Sequence, residues 1–96
     1  MKRCKFTKIV AGLSVVASIM GTTAFAEDTR IALVVKALGI GFFEAAAKGA
    51  EEAAAELGGV KIIYTGPTST TAEGQIEVIN SLIAQGVDAI AVSAND

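Results

Sequence analysis

Three short runs rich in branched apolar residues, Ile31–Val35, Val60–Tyr64 and Ala89–Val92, alternate with two longer segments of helical character. Near-continuous apolar runs of this length are what strands buried on both faces require, as in a parallel sheet. The segment from about Phe42 to Leu57 places Ala46, Ala50, Ala53 and Leu57 at helical spacing. Small alanines on that face allow close approach to a sheet. Glu44, Lys48, Glu52 and Glu56 fall four apart on the predicted wet side, with Glu44 and Lys48 oriented favourably for a weak helical ion pair. Gly58-Gly59 stops this helix.

The second helix is predicted over about Thr71–Gln85, with Ile76, Ile79, Leu82 and Ile83 as its core stripe and Gly86 as its stop. Thr70 and Glu73 have the spacing of a capping box at its start. The order is strand, helix, strand, helix, strand. Parallel strands need crossovers, and crossovers are right-handed. The predicted fold is therefore α/β, half of a doubly wound parallel sheet.

The first 26 residues stand apart from this pattern. Lys2, Arg3, Lys5 and Lys8 make a basic start, Ile9–Met20 is uncharged and mostly apolar, and Ala24-Phe25-Ala26 forms an A-x-A cleavage signature. That order is a secretory signal peptide. The apolar run is shorter than the roughly 20 residues of a spanning helix. Cys4, the single cysteine, lies inside the basic start, not after the apolar run where a lipoprotein would need it. The expected organisation is a signal peptide at residues 1–26 and an exported domain at 27–96, with cleavage after Ala26. The 52% hydrophobic content owes part of its excess to the leader.

Residues 27–96 keep four cations, Arg30, Lys36, Lys48 and Lys61, against all ten acidic residues. An acidic domain without a basic patch argues against nucleic acid as a partner. The sequence has no histidine, which removes the commonest general base and metal ligand. Gly39-Ile-Gly41 opens a helix after a strand, but Glu44 stands where a dinucleotide fingerprint needs its third glycine. A carboxylate there repels a pyrophosphate. A phosphoacceptor domain of this strand order needs acids after its first strand, where this chain has Lys36. Ser69 and Ser93 have no histidine to activate them, and nothing in the spacing specifies a pair with Lys36. A non-enzymatic binder without metal or cofactor is the economical reading.

Ligands of open parallel sheets bind beyond the carboxyl ends of the strands. The residues available there are Lys36 with the loop to Phe43, Thr65–Thr70, and Ser93–Asp96. Of Phe42 and Phe43, only one can readily point at the sheet. The other is left for the crevice, where a flat ring stacks on the C–H face of a sugar. Lys36 offers charge-assisted hydrogen bonds to ligand oxygens. The Asp96 carboxylate can accept from two hydroxyls. The candidate ligand-binding residues are thus Lys36, Phe42, Phe43 and Asp96.

The stretch Ile31-Ala-Leu-Val-Val-Lys-Ala-Leu-Gly-Ile-Gly-Phe-Phe43, followed by Gly49-Ala-Glu-Glu-Ala53, resembles the start of periplasmic sugar-binding proteins of the ribose-binding type. Tyr64-Thr-Gly-Pro-Thr68, Gly74-Gln-Ile76, Ile79-Asn80 and Ala91-Val-Ser-Ala94 extend the likeness over nearly all of residues 30–96. Within that group the chain looks closest to the rhamnose-binding and autoinducer-2-binding receptors. The double phenylalanine is common across the wider group; the strand-end lysine with Gly-Pro-Thr is more selective.

The resemblance implies the first part of lobe one of a type I periplasmic binding protein. Such receptors close two lobes on a ligand and dock on the membrane permease of an ATP-driven importer. It implies that Lys36 contacts ligand oxygens, that Phe42 and Phe43 line the sugar site, and that Asp96 occupies the place of a ligand-binding carboxylate. An acid there leans toward a pyranose such as rhamnose, with autoinducer-2 as the alternative. By the same comparison the chain reads as an N-terminal fragment, without the rest of lobe one, the hinge or lobe two.

Overall fold

The computed structural model describes residues 27–96, so the predicted signal peptide, its cleavage site and Cys4 lie outside the described residues. Strand β1 (Thr29–Val34) leads to helix α1 (Gly41–Leu57), strand β2 (Val60–Thr65), helix α2 (Ala72–Gln85) and strand β3 (Ala89–Val92). The three strands are parallel, in the order β2-β1-β3. The predicted β-α-β-α-β half of a doubly wound sheet is therefore the observed one.

Register follows from the central strand. Ala32 lies opposite Ile63 on one side and Ile90 on the other, and Val34 opposite Thr65 and Val92. Partners in register share a sheet face, so Ala32, Val34, Ile63 and Ile90 form one face. Ala32 and Val34 are fully buried there with Leu82 of α2, and Val78, Ile79 and Val87 pack around them. Tyr64, on the opposite face, donates its hydroxyl to the Glu44 carboxylate of α1 at 3.1 Å. The two helices thus cover opposite faces, as right-handed crossovers on either side of a central strand demand.

Three local expectations are corrected. Helix α1 buries Ala47 and Ala54, with Phe43 and Ala50 half-buried, whereas Ala46, Ala53 and Leu57 are exposed. Alanine fills so many positions between 45 and 55 that its spacing fits more than one face. Helix α2 buries Gln75 and Leu82, while Ile76 and Ile83 are 56% and 63% exposed. A polar residue holds the inward position because it has backbone groups to bond there. The cap of α2 is Thr71, whose side chain accepts from the Gly74 amide at 3.1 Å. The third helical position is then glycine, and no reciprocal Thr70–Glu73 box forms.

The far end of α2 is capped from another element. Gly86 adopts the left-handed conformation at φ 74° and ψ 37°, which glycine enters without penalty. No basic residue lies in the last turn. Arg30 of β1 supplies the cation instead, donating through Nη2 to the carbonyls of Gln85 (3.0 Å) and Gly86 (2.6 Å). Asp88 accepts from the Arg30 amide at 2.8 Å and fastens the same corner.

Candidate functional site at the strand carboxyl ends

The carboxyl ends of β1 and β3 and the loop after β2 meet at one rim of the sheet. Past the ladder, the Val35 amide donates to Thr65 O (3.0 Å), Leu38 to Pro67 O (2.9 Å) and Ser93 to Val34 O (2.9 Å). Gly66 sits where a side chain cannot. A Cβ there would lie 2.9 Å from the Val35 carbonyl oxygen and 3.0 Å from its Cγ2. The glycine lets the β2 loop close against the end of β1.

Lys36 is half-buried at this rim and donates from Nζ to the Ala94 carbonyl. An ammonium has three donors, and among the described residues Ala94 takes one of them, leaving two N–H groups. Phe42 is 76% exposed and Phe43 half-buried. Their rings meet edge to face, with centroids 5.3 Å apart at 86°. Phe43 shares the stripe of Ala47 and faces the sheet; Phe42 stands at the start of α1 with its ring free. Asp96 is exposed and, among the described residues, makes no side-chain hydrogen bond. The structure joins Lys36 to the 93–96 loop and Phe42 to Phe43, and records no bond that ties Asp96 to either pair.

Two further residues organise the rim, and sequence reasoning did not single them out. Gln75 is 5% exposed. Its amide donates to Val35 O (3.1 Å) and Ser93 O (2.9 Å) and accepts from the Asn95 amide (2.9 Å). The Asn95 side chain donates to Lys36 O and Thr71 O, both at 3.0 Å. The available signal was a polar residue on the inward side of α2 beside the predicted stripe.

A groove of about 420 Å³ runs between β2 and α2, lined by Ile63, Glu77, Val78, Leu82 and Gln85, and it reaches Thr65, Pro67 and Thr68 of the strand-end loop. None of the four predicted ligand-binding residues lines it. The rim is where the strand ends, the Lys36 ammonium and the exposed Phe42 ring coincide. Among the described residues, no His, Cys, Asp and Glu cluster could hold a metal ion, and no helix is long and apolar enough to cross a membrane.

The Tyr64 phenol, beside this region on β2, is raised above its usual value of 10.0. Desolvation is the first cause, and the Glu44 carboxylate, as hydrogen-bond partner and as charge, is the second.

Residues 31–96 match the family model described as a periplasmic binding protein domain.

Proposed function

The chain belongs to the periplasmic binding protein family, and from that premise we propose that it is the solute-binding component of a carbohydrate importer. The observation that carries this reading is the half-buried Lys36 ammonium, pinned at one proton by Ala94 and, among the described residues, free at the others, on the same rim as the exposed Phe42 ring. Lys36 donates to a hydroxyl or ring oxygen. Phe42, backed edge-on by Phe43, presents a face on which sugar C–H groups stack. Asp96 accepts from a neighbouring pair of hydroxyls. Nothing in this arrangement makes or breaks a bond, as suits a protein that delivers its ligand unchanged.

The ligand we propose is a monosaccharide such as rhamnose, handed to the membrane permease of the transporter. Autoinducer-2 is the second reading, since the strand-end Lys36 with Gly66-Pro67-Thr68 is shared by the likeness to both kinds of receptor. Export by the leader at residues 1–26 completes the assignment, and N-terminal sequencing of the exported protein should begin at Glu27. Calorimetric titration of the full-length receptor should show rhamnose binding, or autoinducer-2 in its place. Binding of an amino acid with neither of these bound refutes the proposal.

A further inference from the structure

We propose that Gln75, with Asn95, is the positioning residue of the strand-end site. It sets the spacing between the ends of β1 and β3, and through that spacing it places the Lys36 ammonium for a ligand. The inference rests on the reading of this rim as a sugar site.

The case starts from cost. A buried amide is tolerated only where its polar atoms are partnered. Gln75 meets that condition with both N–H donors and its oxygen engaged. A leucine would fill the space and bury more apolar area, but it would orphan Val35 O and Ser93 O. The two N–H bonds of one planar amide diverge at a fixed angle. They therefore fix how far apart the Val35 and Ser93 carbonyls stand, one at the end of each strand.

Asn95 extends the clasp. Its backbone is held by Gln75 Oε1, and its side chain reaches Lys36 O and Thr71 O. Five hydrogen bonds thus link residues 35–36, 71–75 and 93–95. Lys36 reaches the Ala94 carbonyl between the two residues, Ser93 and Asn95, that Gln75 holds. Releasing the 93–95 loop moves the acceptor on which the Lys36 ammonium rests. Gln75 lies behind this backbone, so its influence on a ligand runs through Lys36 and the loop.

The test compares wild type, Gln75→Met and Arg30→Ala in the full-length receptor. Arg30→Ala removes stability at the opposite end of α2 and controls for destabilisation alone. Rhamnose affinity is read by calorimetry, melting by circular dichroism, and the Asn95 amide by hydrogen exchange. Gln75→Met is expected to lose at least tenfold in rhamnose affinity and at least tenfold in Asn95 protection. Arg30→Ala should bind within twofold of wild type despite a lower melting temperature. Equal affinity in Gln75→Met and wild type, or a loss no larger than in Arg30→Ala, overturns the proposal.

If Gln75→Met does not fold, Gln75→Glu replaces it. Its carboxylate keeps the acceptor for Asn95 but has no donor for the carbonyls until protonated, when one O–H can serve one of the two. Affinity and Asn95 protection should then recover in part as pH falls, against a flatter wild-type profile, and no recovery counts against the proposal. If wild type binds no rhamnose, the sugar reading has failed and the spacing claim is judged separately. Gln75→Met must still release the Asn95 amide and shift the Lys36 side-chain resonances while Arg30→Ala leaves both in place. Unchanged signals in Gln75→Met overturn it.

Discussion

Replacing Arg30 by alanine isolates a helix cap supplied across the fold. In the structure both Nη2 protons are spent on the last carbonyls of α2, at 3.0 and 2.6 Å. Hydrogen bonds to charged groups contribute about 1.5–3 kcal/mol when well shielded, and a cation at a helix C-terminus about 0.3–1 kcal/mol. These carbonyls lie at the surface, so solvent takes over part of each bond when the guanidinium leaves. The expected loss is about 1–1.5 kcal/mol. For a domain of this size, 1 kcal/mol moves Tm by about 4–8 °C, which puts the Arg30→Ala shift at about 5–10 °C in thermal melts followed by circular dichroism. Arg30→Lys keeps a cation near the helix end and should recover about half. High salt should shrink the gap between wild type and Arg30→Ala, because the interaction is partly screened. A shift below about 1 °C, or one independent of salt, refutes the cap as an electrostatic device.

Gly66→Ala should lose about 1–3 kcal/mol by overpacking, since its Cβ would press on the Val35 carbonyl; an unchanged denaturation midpoint would show that the loop yields freely. Gly49→Ala should instead gain about 1 kcal/mol, because an added Cβ meets nothing within 4 Å in mid-helix; a lower midpoint would contradict that. Tyr64 is the single tyrosine, so phenolate absorbance reports on it alone, and its midpoint should lie above 10. With a raised folded value, its contribution is present below the unfolded value of about 10 and is lost as pH rises through the folded one. The stability advantage of wild type over Tyr64→Phe should therefore vanish in strong alkali, and an advantage that grows there contradicts the Glu44 bond.

The elements and their order were legible because each strand is a compact apolar run and each helix ends at glycine. Strand β3 was read at its observed residues, and β1, α1 and β2 to within one or two residues. The phase of the helices was harder. In α1, alanine occupies positions all round the helix, so hydrophobicity does not select Ala47 and Ala54 over Ala46 and Ala53. In α2, isoleucines at 76 and 83 outweighed Gln75 in any apolar count, although Gln75 takes the interior. Its partners are carbonyls of Val35 and Ser93, distant in the chain, and no local pattern announces them. The sequence reading put the cap at Thr70, and the backbone puts it at Thr71, one residue later. The candidate site was legible as a set of strand-end loops. Which side chains hold those loops together was not, since that depends on bonds across 18 to 59 residues of chain.

The position of β1 in the middle of the sheet has a consequence for the order in which the fold can be completed. As the chain emerges, β1 and β2 can pair around α1 early, leaving the other edge of β1 open. That edge closes only when β3 arrives, bringing Ile90 beside Ala32 from 58 residues further on. Until then the face made by Ala32 and Val34 has neither its third strand nor Leu82 over it. Loop closure over such a distance is entropically slow relative to local helix formation. A chain built this way commits late: its first strand waits for its third, and up to that moment this face of the sheet is still open.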